Sequence, residues 1–278
     1  RDVLGSRGLG DVYKRQAISI VAGGILSIWY LLFQAKSLRL YPIMIGVRGA
    51  YLFFKNMTEQ CHIGVSALLA EATMAVLMFM GNHVFMRYLG DNGVGAFGIS
   101  CYYMPFVFMV GNAIAQSAQP IISYNYGTAN YERIATAEKI ALRTAIVSGA
   151  LAMACFTFIP QIMVGLFLDV STPAAQLAIS GLPYFAAGFV CFIVNLTAIG
   201  YFQSIENVKA ATVFALLRGF VFLIPVFLIM PQLFGVMGIW LAMPVSEILT
   251  TVVIGFYYTA GRRKYKTDTF SQPITDKA

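Results

Sequence analysis

Seven stretches of about 20 or more mostly apolar residues, set apart by short polar turns, leave this chain few ways to fold. In hydrocarbon every backbone N–H and C=O must find a partner within the protein, which leaves helices or closed barrels, and runs of this length read as helices. They fall at about Ala17–Ala35, Gly64–Phe85, Val94–Ser123, Ile140–Phe167, Ala174–Phe202, Ala210–Met230 and Val236–Tyr258. A mean hydropathy of +0.74 with only 11% charged residues agrees, against roughly 25% charged in soluble domains. The fold class is therefore all-α membrane protein.

The net charge of +7 is not a nucleic-acid footprint, because the basic residues fall between the apolar runs. Seven crossings put alternate loops on opposite sides. One side collects Lys36, Arg39, Arg48, Lys55, Arg133, Lys139, Arg143, Lys209, Arg218, Arg262, Arg263, Lys264, Lys266 and Lys277, and the other Arg87 alone. By the positive-inside rule the richer side, with the C-terminus, is cytoplasmic. Leu89–Gly93 reads as a tight turn, and the middle of the basic connection, Tyr41–Phe54, as an amphipathic surface helix. Pro105, Pro160, Pro183, Pro225 and Pro244 fall inside spans and predict kinks.

Polar side chains at membrane depth are the functional candidates. Asn112, Gln116, Gln119 and Ser123 share one helical face in the third segment, ahead of Pro120. Such a row is either hydrogen-bonding glue between helices or the wall of a cavity. Two carboxylates fall well inside spans, Glu71 and Glu247. Each is a candidate to bind and release a proton or pair with Na⁺, or else a structural partner for an amide or Arg on a neighbouring helix. Met74 and Met78 follow Glu71 at i+3 and i+7, with Asn82 a further turn on. They suit a wall for varied apolar cations or, equally, ordinary packing. Tyr184, Asn195 and Gln203 make the fifth segment polar, Asn195 deepest, with Gln203–Asn207 read as a turn.

Catalytic chemistry has no support. There is no G-x-S-x-G, H-E-x-x-H or P-loop, and the two histidines (His62, His83) stand outside any cluster. The four cysteines are scattered with no metal-like spacing, so no cofactor and no resident metal are expected, apart from a possible Na⁺ near Glu71. Deep carboxylates, amide-lined kinked helices and no catalytic group together favour a transporter driven by an ion gradient.

The strings GNAIAQSAQPIISYNYGTANYER (111–133) and GIWLAMPVSE (238–247) resemble the MATE family of multidrug and toxic compound extrusion transporters, in its MepA-like branch. AEATMAVLMFMGN (70–82) is similar to that family's seventh helix, where many members carry an acidic residue implicated in cation coupling, and Glu71 falls on that position. The resemblance covers 17–267 and implies twelve helices in two six-helix lobes. On that reading 1–16 are a non-native leader and 17–37 the last helix of an N-terminal lobe whose other helices are absent. Residues 38–62 are a basic cytoplasmic linker, 63–260 the C-terminal lobe and 261–278 a basic tail. The family's Asp in the tenth helix has no match between Ala174 and Phe202, where Asn195 is the nearest deep polar residue.

The resemblance implies an antiporter of the bacterial inner membrane, exporting drugs or organic cations against H⁺ or Na⁺. Glu71 and Glu247 would couple ions. Met74, Met78, Asn82, Asn112, Gln116, Gln119, Tyr184 and Asn195 would line the cavity. Partners would be the substrate, the bilayer and the absent lobe, with no nucleic acid. The rival readings are a lipid-linked saccharide flippase of the same superfamily, which would show a cationic cavity, a membrane-embedded enzyme, and a chain without activity of its own.

Overall fold

A computed structural model describes the backbone of residues 3–34 and 46–270. Among these the elements are helices only: α1 (Val3–Phe33), α2 (Val47–Gly127), α3 (Tyr131–Phe158), α4 (Pro160–Gly165), α5 (Pro173–Ala186), α6 (Phe189–Ser204), α7 (Val208–Leu216), a π-helical turn (Leu217–Phe222) and α8 (Leu223–Phe270). The chain divides into two units, Arg1–Met57 and Thr58–Ala278.

The first unit contains α1, which covers most of the expected leader together with the first apolar segment. The linker expected over 38–62 lies partly outside the described residues (38–45). From Val47 it is helix, continuous with the span that follows, because no proline interrupts the chain before Leu89.

The second unit is a helical bundle whose two longest helices fold back on themselves. Within α2, Gly90 takes φ 61°, ψ −154°, and within α8, Gly235 takes φ 58°, ψ −136°. Only glycine enters that region without a Cβ clash, so the Leu89–Gly93 turn expected from sequence sits where the backbone needs it. Each helix thus consists of an outgoing and a returning arm. Phe85 and Phe97, on opposite sides of Gly90, stack at 4.6 Å. Among the described residues, three helices and one bent pair are long and apolar enough to cross a membrane. Because two of the three fold back, the crossing segments of this unit match the last six expected from sequence.

Two expected spans are modified. The fourth begins at Tyr131, under an Asn130 side chain that accepts from the Arg133 N–H (3.3 Å), and breaks at Ile159, where Pro160 starts the short α4. The fifth is two helices bent by 48° between Ala186 and Phe189. Pro183 cannot donate to Ile179, and Gly188 lies so close to Pro244 that a Cβ there would stand 2.7 Å from its Cα. The α4–α5 connection is pinned by Asp169, which accepts from the Ser171 N–H (2.9 Å) and hydroxyl (2.8 Å); both bonds, the backbone one foremost, hold its carboxyl below the usual range.

The core is aromatic at the end near Gly90 and Gly235. Phe85 meets Trp240 edge-on at 4.7 Å, and Phe156 meets Phe189 at 5.3 Å. Gly181 lies flat against Trp240, where any Cβ would collide with the indole ring. Gly181→Ala is therefore expected to destabilise by about 1–3 kcal/mol through overpacking, read as a lower Tm in detergent. An unchanged Tm would show that the indole is free to shift.

Candidate functional site

The amide row of α2's returning arm faces that helix's outgoing arm and α6 across a cavity of about 560 Å³. Glu71, Ala67 and Gly64 form one wall, Asn112, Gln116, Gln119 and Ser123 the second, and Leu196, Ile199, Gly200, Gln203 and Ser204 the third. Glu71 is exposed to this space, and its Oε1 accepts from Asn112 Nδ2 at 3.3 Å. The walls approach closely because residues are small at the seams: Gly200 against Ala115, and Gly111 against Leu196.

Glue and cavity wall prove to be divided along the row. Gln119 Nε2 donates to Gln203 Oε1 (3.2 Å), Gln203 Nε2 donates to Ser66 Oγ (3.0 Å), and Ser123 Oγ donates to the Ser204 carbonyl (3.1 Å). This chain of bonds ties both arms of α2 to the end of α6. Gln116, nearly one turn before Gln119 on the same face, is exposed to the cavity and makes no side-chain hydrogen bond among the described residues. Gln203, noted in the sequence but not assigned to the site, is the residue that joins the two arms. It reads as part of a turn because Ser204, Glu206 and Asn207 follow it, yet it lies in the last turn of α6. Gln203→Leu is expected to cost about 1–3 kcal/mol, since the Gln119 amide loses its acceptor and the Gln203–Ser66 bond is removed. A thermal melt of the variant in detergent checks this, and a Tm equal to wild type would show that water replaces Gln203 as the acceptor.

Glu247 is not on this wall. It is 1% exposed, and its carboxylate accepts from Arg218 Nε at 2.8 and 3.1 Å and from Asn195 Nδ2 at 2.7 Å. Asn195 Nδ2 also reaches the Glu247 carbonyl (2.9 Å), and Thr251 Oγ1 donates to Asn195 Oδ1 (2.9 Å). Of the two open readings of Glu247, the geometry is that of a structural partner. Arg218 is correspondingly not a loop cation. It is 0% exposed, with its guanidinium 4.2 Å from the Phe192 ring centroid, and Nη1 and Nη2 have no hydrogen-bond partner. Its place is made by the π-helical turn, which breaks the α-helical register, and by Gly219, whose missing Cβ lets Thr73 close over this stretch.

The remaining candidates also lie off the Glu71 cavity. Asn195 is one residue before Leu196, about 100° around α6, and turns inward to Glu247. Met74 packs half-buried against the aromatic core. Met78 is half-buried and Asn82 exposed further along the outgoing arm; at 1.5 Å per residue, Asn82 is about 16 Å beyond Glu71. Tyr184 is 42% exposed on α5, a helix that contributes nothing to the cavity. Among the described residues no group of three or more His, Cys, Asp or Glu could hold a metal ion.

Known proteins share this architecture. Multidrug export protein MepA of Staphylococcus aureus (strain NCTC 8325 / PS 47) is 25% identical over 233 residues, 84% of this chain and 50% of the relative. A ligand-bound structure of the MATE multidrug transporter DinF-BH superposes with TM-score 0.73 at 26% identity, over 88% of this chain and 54% of that one. An outward-facing multidrug resistance MATE family transporter of the MOP superfamily gives TM-score 0.77 at 18% identity, covering 90% and 55%. The chain thus spans about half the length of the curated relatives it matches. The MatE family model matches residues 67–229, which hold Arg218 and, apart from Gly64, every wall residue of the Glu71 cavity. This multi-pass helical membrane protein belongs to the MatE family.

Proposed function

We propose that the full-length protein is an antiporter of the bacterial inner membrane, with a cytoplasmic C-terminus, that exports drugs or organic cations against H⁺ or Na⁺. The observation that carries this reading is Glu71. Among the described residues it is the one acidic side chain on the wall of the 560 Å³ cavity, where amides and small residues surround it. A single carboxylate there can hold either an incoming ion or a cationic substrate, and competition between the two is the minimal chemistry of exchange. Gln116 and Asn112 supply hydrogen-bonding groups that fit many partners. The relatives, a multidrug export protein and a multidrug transporter, support an export role over catalysis.

The flippase reading needs a cationic cavity. Arg218 is the one buried Arg or Lys among the described residues, and it is neutralised by Glu247 away from the Glu71 cavity. In proteoliposomes of the full-length protein, an imposed inward H⁺ or Na⁺ gradient is expected to drive a fluorescent organic cation outward. Flux that ignores both gradients would sink the antiport reading.

A further inference from the structure

A second, partly open pocket lies on the far side of the α2–α6 seam. It measures about 190 Å³ and is bounded by α3, α6, the returning arm of α2 and the returning arm of α8. Ala115 separates it from the Glu71 cavity, since that residue lines both. Its walls owe their concavity to small residues: Ala118, Ala141, Ala198 and Gly255 stand where four bulkier side chains would fill the space.

The polar groups at its edge are already committed. Thr197 Oγ1 donates to the Ile193 carbonyl at 2.9 Å, Thr251 Oγ1 to Asn195 Oδ1 and to the Glu247 carbonyl at 2.9 Å each, and Tyr258 donates to Glu138 at 2.5 Å. A buried water needs two to four partners, and these hydroxyl protons are taken. An apolar cavity of roughly 150 Å³ in an unrelated protein stays dry and binds benzene, so the size class here is a single aromatic ring up to a fused pair. The rim residues Phe202, Ile254 and Val194 supply apolar contact.

We infer that this pocket is an accessory binding site for small, neutral, apolar ring compounds, distinct from the Glu71 cavity. Its one carboxylate, Glu138, already accepts from the Tyr258 hydroxyl, so the pocket favours neutral ligands, whereas the Glu71 cavity selects for cations.

The test is a titration of the full-length protein, ¹³C-methyl-labelled at alanine, with fluorobenzene in detergent. Saturable shifts are expected at the Ala115, Ala118, Ala141 and Ala198 methyls and not at Ala96, which is buried in the aromatic core. Ala198→Leu, which fills the pocket, should remove the shifts at the other three, and Ala141→Leu gives the same reading if the first variant does not fold. Glu71→Gln should leave them in place, which separates this site from the proposed coupling site. Unsaturable drift of all methyls alike, as from probe dissolved in the micelle, would overturn the inference, as would saturable shifts that persist in the filled variants.

Discussion

Glu71→Gln in the full-length protein is expected to lower gradient-driven export of an organic cation at least about tenfold while leaving the Tm unchanged. The substitution is nearly isosteric, and Gln can still accept from Asn112 Nδ2, which reaches Glu71 Oε1 at 3.3 Å. What it removes is the charge. Hydrogen bonds to a charged group contribute about 1.5–3 kcal/mol, so a cation held there is bound about ten to a hundred times more weakly without it. Because Glu71 already faces open cavity, no buried partner is left uncompensated, and stability should move by less than about 0.5 kcal/mol. Export assays under H⁺ and Na⁺ gradients, beside a melt in detergent, separate function from folding. Unaltered export by the variant would remove Glu71 from the mechanism, and a large fall in Tm would assign it a structural role.

The opposite pattern is expected at the second deep carboxylate. Glu247→Gln leaves the Arg218 guanidinium buried without its counter-charge, and Arg218→Met leaves Glu247 buried with Asn195 as its remaining side-chain partner. Removing one partner of a buried pair costs about 3–5 kcal/mol, so each single variant should melt far below wild type. The double variant should recover most of that loss. It retains an amide acceptor for Asn195, and it also eliminates the Nη1 and Nη2 groups that lie buried without partners. Buried ion pairs replaced by neutral side chains are often neutral or stabilising, because both desolvation costs disappear together. A thermodynamic cycle over the three variants measures the coupling. Additive losses in the double variant would mean that the pair is not the unit that holds the π-helical turn to the returning arm of α8.

These two residues show how sequence and structure divided the information. From the residues alone Glu71 and Glu247 are equivalent: each is a lone carboxylate in an apolar span, with two readings open. Depth in the membrane is a one-dimensional property and can be read from a one-dimensional string. Direction around the bundle depends on which helices pack against which, and that is set by contacts distant in sequence. Arg218 is the sharpest case. Although it falls inside the expected Ala210–Met230 span, it counted with the cytoplasmic cations, whereas the π-helical turn and the bare Gly219 draw it fully inside.

The amide row of α2 was legible for the opposite reason. Asn112, Gln116, Gln119 and Ser123 lie on one helix, and helical periodicity alone aligns them. Periodicity could not say which of them would be tied off. That was decided by Gln203, 84 residues from Gln119, through a helix end that sequence alone presents as a turn.

The sequence by itself thus determined the all-helical membrane class, the last six crossing segments, the glycine turn at Gly90 and the helical face that carries the amides. Each follows from local rules: the length needed to span hydrocarbon, the absence of a Cβ, and the 3.6-residue period. Only the tertiary structure decided that Glu71 opens onto a cavity while Glu247 is sealed against Arg218. A carboxylate's role depends on whether water or a guanidinium stands opposite it, and the groups that stand opposite come from other helices.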